Sequence, residues 1–311
     1  MGGGSWTSSA FATYSCSVGR SVDCSTGDVS TAYTTVQEAY RKSGIDPSMD
    51  PRNSKNFVRE CCENEEHPHT LPIILALDVT GSMGLTAIEV SKKLNTIVTN
   101  AVKSCPDAEF MIMGIGDVEC DTDPIQYSQF EADVRIAQCL DTIYFEGHGG
   151  GNSYESYTAA WLIGSRRTKC DCWKRGKRGL IITIGDEPIN PVLGCNDIHR
   201  ALGDPITQAE IRTSDLYKEV LPKYAVRHVV INHHYGHDEY YAGCAKSFAN
   251  VIGAENVVIS SVEKVAEDIG RLIRDFAESE HDGVSANSAE GSGGLHIEKS
   301  DDGSMGVISW A

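Results

Sequence analysis

Short runs of apolar residues recur along the middle of the chain. Five of them are mostly apolar, at residues 73–77, 110–115, 180–184, 226–231 and 257–259. Runs of this kind are typical of strands that are buried on both faces of a parallel sheet. Segments with apolar residues at helical spacing separate the runs, and a last stripe of this kind extends from Val262 to Phe276. The alternation predicts an α/β fold with a doubly wound, mostly parallel central sheet flanked by helices.

The composition changes on both sides of this region. Residues 1–70 are rich in Ser, Thr, Gly and Cys, which predicts a partly ordered N-terminal extension. Residues 71–280 contain all the predicted strands and form one α/β domain. From His281 the chain is dominated by Gly, Ser, Asp and Glu, so residues 281–311 are predicted to form a polar, flexible C-terminal tail.

Charge and targeting signals narrow the choice of partners. The formal net charge is −17, which repels a phosphate backbone and an anionic membrane surface, so we expect neither nucleic acid nor membrane as a partner. The chain has no apolar run of about 18 residues and no basic and apolar leader at its start. We therefore expect a cytoplasmic protein, in which the eleven scattered cysteines are reduced thiols.

Oxygen-bearing side chains follow the first apolar run directly. Asp78 comes immediately after the run, and Thr80 and Ser82 follow it at alternate positions. One carboxylate and two hydroxyls on a tight turn suit a hard cation such as Mg²⁺ or Mn²⁺ and leave coordination positions open. The same residues also suit a turn in which Asp78 caps the next helix without a metal. These residues alone leave both interpretations open.

The turn resembles the first loop of the von Willebrand factor A (vWA) family. The metal-ion-dependent adhesion site of that family begins with D-x-[ST]-x-S, which Asp78, Thr80 and Ser82 match. Residues 149–155, GGGNSYE, are similar to the second loop of a bacterial-type branch of the family, which reads GGG-[DT]-x-x-E. Two separate loops thus agree with the family in order and spacing.

The resemblance continues into a third loop and a second strand. Residues 184–188, IGDEP, resemble the third loop of the same branch, an apolar strand that ends in G-D-x-P. Residues 113–117, MGIGD, resemble its second strand, so the likeness covers roughly residues 73–276. The resemblance implies a metal site at one rim of the sheet, with ligands that bind directly or through water: Asp78, Thr80, Ser82, Asn152 and Asp186.

The second-loop ligand departs from the family pattern. Asn152 stands where the family more often has Thr or Asp, so the ligand there is the amide oxygen of Asn152, the hydroxyl of Ser153 or an intervening water. An amide oxygen is a legitimate ligand for a hard cation. The departure affects the expected affinity and metal preference more than the existence of the site.

The resemblance implies a protein that binds rather than catalyses. A vWA domain holds one Mg²⁺ or Mn²⁺ and uses it to bind an Asp or Glu carboxylate of a protein partner, and by family analogy an AAA+ ATPase is a candidate partner. One alternative is a Mg²⁺-dependent phosphohydrolase of the haloacid dehalogenase type, but its general acid, a second Asp, is replaced here by Thr80. The other is a structural component of a larger assembly.

Three further clusters carry weaker signals. Alternating acids suggest a calcium loop, but the expected Gly and distal Glu are missing. Three His and one Cys suggest a zinc site, but their spacing fits no ordinary zinc motif. A basic loop at residues 169–178 surrounds two cysteines, and solvent exposure explains it as well as docking of an acidic surface does. The acids are Asp117, Glu119, Asp121 and Asp123, and the zinc candidates are His233, His234, His237 and Cys244.

Overall fold

The computed structural model describes residues 4–20, 44–53, 55, 58–147, 152–203, 209–234 and 236–289. Its main feature is a six-stranded sheet in the order β10-β9-β6-β2-β3-β4. All neighbouring pairs are parallel except β3 and β4, which are antiparallel. The six strands are β2 (Leu71–Asp78), β3 (Ala108–Ile115), β4 (Ile125–Tyr127), β6 (Gly179–Gly185), β9 (Tyr224–Ile231) and β10 (Val257–Ser260).

Two small sheets lie beside the main one. A parallel pair joins β1 (Arg59–Cys61) to β5 (Thr168–Cys170), and an antiparallel pair joins β7 (Val192–Gly194) to β8 (Glu210–Arg212). The described helices are α1 (Ser8–Ser17), α2 (Gly84–Ser104), α3 (Arg135–Thr142), α4 (Thr158–Arg166), α5 (Cys195–Leu202), α6 (Thr213–Val220), α7 (Asp238–Ile252) and α8 (Val265–Ala289).

Helices cover both faces of the main sheet. Alternate residues of a strand point to opposite faces, so Ile73 and Leu75 of β2 pack with α2, α3 and α8, whereas Ile74 and Ala76 pack with α4, α5, α6 and α7. Because both faces of β2, β3, β6 and β9 are buried, these strands need apolar residues at successive positions, which explains their runs in the sequence. The edge strand β10 is partly exposed. The predicted doubly wound α/β fold is confirmed.

Described parts of the two flanking segments form regular structure. Trp6 and Phe11 stack at 5.2 Å and join the core that contains α2, where the indole of Trp6 donates a hydrogen bond to Thr99 Oγ1 at 2.9 Å. At the other end, α8 runs to Ala289, past the predicted boundary at residue 280, and residues 290–311 lie outside the described part. Within the described ranges, no helix has the length and apolar character needed to cross a membrane.

Candidate functional site

The candidate site lies where the strand order reverses direction. From β2 the chain first adds β3 on one side and later β6, β9 and β10 on the other, so β2 and β6 are neighbours at the switch point. In open α/β sheets, ligands bind in the crevice outside the carboxyl ends of such strands. Asp78 is the last residue of β2, and Asp186 follows β6 directly. Both carboxylates therefore lie at this crevice.

Hydrogen bonds link the oxygens of four predicted ligands into one group. The backbone amide and the hydroxyl of Thr80 both donate to Asp78 Oδ1, at 2.9 and 2.6 Å. Thr80 Oγ1 lies 3.2 Å from Ser82 Oγ, and the Ser82 hydroxyl donates to Asp186 Oδ1 at 3.0 Å. The structure thus brings Asp78, Thr80, Ser82 and Asp186 together from two loops.

Burial and like charge set the electrostatics of this group. Asp78 is fully buried and Asp186 is 4 % exposed. Burial, followed by the negative charge of Asp186, raises the pKa of Asp78 to about 7, although hydrogen bonds from Thr80 and Tyr157 oppose the shift. In the described part of the chain, no Lys or Arg forms a salt bridge with either carboxylate. Two buried carboxylates with neighbouring hydroxyls fit a hard divalent cation.

Two residues outside the predicted ligand set hold the carboxylates in place: Tyr157, which no motif selected, and His233, which the sequence suggested only as a zinc candidate. The Tyr157 hydroxyl donates to Asp78 Oδ2 at 2.6 Å and accepts from the backbone amide of Glu187 at 3.2 Å. His233 Nε2 lies 2.9 Å from Asp186 Oδ2. A Cβ at position 185 would lie 2.0 Å from the Tyr157 hydroxyl, so Gly185 is required for this approach. The glycine before Asp186 was the sequence signal for a close neighbour.

Asn152 lies with a different set of side chains. Its amide nitrogen donates to Asp117 Oδ2 at 2.7 Å and to Glu119 Oε2 at 3.4 Å. No hydrogen bond of the described residues joins it to Asp78 or Asp186. Ser153 is exposed, and the glycines at 149–151 that begin this motif lie outside the described residues. The structure therefore places Asn152 with a second group of acids.

That second group consists of buried carboxylates next to the first. Asp117 is fully buried, Asp121 is 4 % exposed, and Glu155 is 5 % exposed. Burial, and then the charges of Asp78 and Asp117, hold the pKa of Glu155 well above its usual range. Across the described ranges, no three His, Cys, Asp or Glu side chains are arranged to hold a metal. The geometry here does not support the calcium loop.

The zinc candidates have other contacts. His233 lies against Asp186, and the Cys244 thiol donates to the backbone carbonyl of Asp186 at 3.4 Å. The ring of His234 lies tilted against its two neighbours, with centroids 4.0 Å from His233 and 5.9 Å from His237. These residues support the third loop, and the geometry gives no support to a zinc site.

The basic loop is neutralised within the fold. Its cations pair with acids from three parts of the chain: Lys169 with Glu60, Lys174 with Asp171, Arg175 with Glu63 and Arg178 with Glu280. Surface pairs of this kind contribute little stability each. They nevertheless join residues 60–63 and the helix α8 to one loop, so the loop connects parts of the fold instead of presenting unopposed charge.

Comparisons with known proteins bear on the fold alone. No protein-family model matches the chain, and no curated protein matches its sequence. The chain is similar to the pilus adhesin SpaC from Lactobacillus rhamnosus GG in its open conformation, with a TM-score of 0.47 and 12% identity over 71% of this chain. The match spans only 31% of the adhesin.

Two single-domain structures are also similar. The vWF domain of the type V pili tip protein Mfa5 from Porphyromonas gingivalis has a TM-score of 0.40 and 10% identity, over 73% of this chain and 98% of that one. The SpRpn10 VWA domain has a TM-score of 0.39 and 11% identity, over 68% of this chain and 95% of that one. The solved structures that resemble the chain thus include vWA domains at low identity.

Glu155 provides a test of this electrostatic arrangement. Because its folded-state pKa is raised, the protonated side chain stabilises the fold below about pH 4.5, and this stabilisation is lost as the pH rises toward the folded-state value. The side chain of Glu155→Gln stays neutral at every pH. With metal removed by a chelator, the unfolding free energy of this variant minus that of wild type should therefore increase by on the order of 2 kcal/mol from about pH 5 to about pH 8. Denaturant titration at each pH measures the unfolding free energy of variant and wild type. Glu119→Gln, at an exposed position in the neighbouring loop, is the control and should show the same pH dependence as wild type. If the unfolding free energy of all three proteins depends on pH in the same way, the raised pKa of Glu155 is contradicted.

Proposed function

We propose that the chain is a vWA-type binding protein that holds one divalent cation, Mg²⁺ or Mn²⁺, through Asp78, Thr80, Ser82 and Asp186. The cation serves to bind an Asp or Glu carboxylate of a protein partner. Asn152 is retained as the fifth candidate ligand, on the sequence motif alone. The observation that carries the proposal is the linked set of oxygens from two neighbouring strands, with both carboxylates buried at the switch point.

The energetic argument starts from the cost of burying like charges. A buried carboxylate is unfavourable unless it is protonated, paired or bound to a metal. The raised pKa of Asp78 shows the cost, and Asp186 contributes to it. A bound divalent cation supplies compensating charge and open coordination positions for a further carboxylate. Such a site favours an acidic ligand even on a chain with a formal net charge of −17.

The surrounding side chains suit a site that keeps its shape. Tyr157 engages one oxygen of Asp78, and His233 engages one oxygen of Asp186. Contacts of this kind orient metal ligands and preserve their spacing. Tyr157 directly precedes α4 and His233 follows β9, so each acid is supported by a residue next to a regular element of the fold.

The same geometry favours binding over hydrolysis. A phosphohydrolase of the haloacid dehalogenase type needs a general acid two residues after its nucleophile. That position holds Thr80, whose hydroxyl donates to Asp78. We therefore propose a non-enzymatic role. An AAA+ ATPase stays a candidate partner by family analogy, and a role in a larger assembly, with the metal incidental, stays the alternative.

Metal binding is the direct test. We expect one Mg²⁺ or Mn²⁺ per chain, and Asp78→Ala and Asp186→Ala each to lower the affinity by at least about 100-fold, since each removes a buried charged ligand. Isothermal titration calorimetry measures stoichiometry and affinity. Asp215→Ala, an exposed acid on α6, is the matched control. Asn152→Ala decides whether the second loop contributes, and wild-type affinity in both Asp variants would refute the site.

Phosphatase activity is expected to be absent. Purified protein with Mg²⁺ should not hydrolyse p-nitrophenyl phosphate above the rate of a metal-only blank, because the site lacks the acid that protonates the leaving group. A colorimetric assay over a range of pH is sufficient. Turnover that is present in wild type and lost in Asp78→Asn would favour the phosphohydrolase instead.

Partner binding should depend on the metal. Immobilised wild-type protein with Mg²⁺ should retain a partner that is released by EDTA and is not retained by Asp78→Ala. Mass spectrometry identifies the partner, and substitution of its acidic residues by amides should abolish binding. A partner that is bound equally with EDTA, with Asp78→Ala and after these substitutions would support the assembly role in which the metal is incidental.

A further inference from the structure

A pair of buried thiols lies at the opposite end of the sheet from the acidic site. Cys61 is the last residue of β1 and Cys170 is the last residue of β5, and the two are direct partners in the parallel register. Neighbouring strands lie about 4.8 Å apart. This separation falls within the range of about 4.4–6.8 Å between Cα atoms that a disulfide requires. The register therefore gives the two cysteines a backbone spacing that a disulfide can span.

The two side chains are in contact and differ in acidity. Burial, and then a hydrogen bond with Cys170, holds the pKa of the Cys61 thiol well above its ordinary value. Burial also acts to raise the pKa of Cys170, but hydrogen bonds with Cys61, Tyr224 and Thr168 outweigh it, and the pKa is lowered. Tyr224 supplies a hydroxyl 3.2 Å from Cys170 Sγ. The pair thus combines a thiol of lowered pKa with an adjacent thiol of raised pKa.

A buried acid lies on the far side of Cys61. Glu109, near the start of β3, is 1 % exposed, and a hydrogen bond with the Cys61 thiol lowers its pKa. Burial is the larger effect and raises the pKa of Glu109 to about 7. No described residue provides a hydrogen-bond partner for its Oε1. Glu109 can therefore accept a proton from Cys61 without leaving the buried cluster.

Metal binding does not explain the cluster. Cys62 and Cys172 lie next to the pair in sequence, yet no three Cys, His, Asp or Glu side chains of the described chain are arranged to hold a metal. Cys172 is also a poor nucleophile, since burial and then the charge of Cys170 raise its pKa to about 12. We infer that Cys61 and Cys170 form a redox site, at which a hydroperoxide converts the thiol pair into a reversible disulfide.

The reaction balances with the peroxide as the oxidant. The Cys170 thiolate attacks one peroxide oxygen, so an S–O bond forms, the O–O bond breaks, and the leaving oxygen takes up a proton as water or alcohol. Cys61 then attacks the sulfenic sulfur through its thiolate. The S–S bond forms, the S–O bond breaks, and hydroxide leaves with the proton of Cys61 as water. Both sulfurs are oxidised, and a thiol reductant reverses the change.

Access to the pair requires only a small opening. β1 pairs with β5 alone, through three residue pairs, and a two-stranded ladder of this length is marginal by itself. Local separation of β1 would admit a small peroxide, whereas the larger sheet stays closed. The disulfide would then fix β1 to β5 covalently. This inference is independent of the proposed metal site.

Peptide mapping of the full-length wild-type protein tests the inference. Reduced protein is treated with hydrogen peroxide, blocked with N-ethylmaleimide and digested without reduction. We expect two fewer free thiols per chain, a cross-link between the peptides that contain Cys61 and Cys170, and a Tm higher by on the order of 5 °C that returns to its original value with dithiothreitol. Cross-links to Cys62 or Cys172, or oxidation confined to the exposed Cys16, would overturn it.

Substitutions at the two cysteines test which thiol reacts first with the peroxide. In Cys61→Ser, Cys170 should accumulate as a sulfenic acid that dimedone labels, whereas Cys170→Ser should slow the peroxide reaction of Cys61 by at least about tenfold. Cys62→Ser is the matched control and should still form the cross-link. Circular dichroism of the reduced variants confirms folding. Equal dimedone labelling of Cys61 and Cys170 would contradict the assigned roles. Whether the disulfide forms is decided by peptide mapping of the wild-type protein, which does not depend on the folding of any variant.

Discussion

Two carboxylates of like charge at the carboxyl end of the sheet impose the main constraint on this structure. Asp78 and Asp186 end neighbouring parallel strands, so the fold itself forces them together. The register of β2 and β6 holds the two backbones side by side up to Leu77 and Ile184, close to both acids. The surrounding residues respond to this constraint: hydroxyls of Thr80, Ser82 and Tyr157 donate to the acids, and burial keeps competing water out. The proposed cation would remove the repulsion that these donors only reduce.

The amino-acid pattern predicted the sheet because burial on both faces leaves a strong signal. Strands β2, β3, β6, β9 and β10 all appear as apolar runs in the sequence. The predicted acids Asp78 and Asp186 lie at the carboxyl ends of β2 and β6, the two strands at the switch point. The three-residue strands β1, β4, β5, β7 and β8 are too short for any periodicity to mark them. Their pairing depends on contacts between distant parts of the chain, which a local pattern does not contain.

Contacts between distant parts of the chain also explain which residues of the candidate site could not be predicted. The first and third loops follow strands whose register is fixed, so Asp78, Thr80, Ser82 and Asp186 meet as expected. The second loop has no strand to anchor it, and Asn152 pairs with Asp117 instead. The role of Tyr157 could not be inferred from spacing, because its hydroxyl reaches Asp78 only across the backbone of Gly185. The glycine showed that something lies close, but not which residue.

The N-terminal segment bears on how the α/β domain can be isolated. Trp6 and Phe11 cover apolar surface of the core that contains α2, and β1 satisfies the edge of β5. A chain that began at the first strand of the main sheet would expose that apolar surface and leave β5 with unpaired backbone amides and carbonyls. Exposed apolar patches and open strand edges are templates for self-association. The segment therefore covers apolar surface and a strand edge that a chain beginning at β2 would leave open.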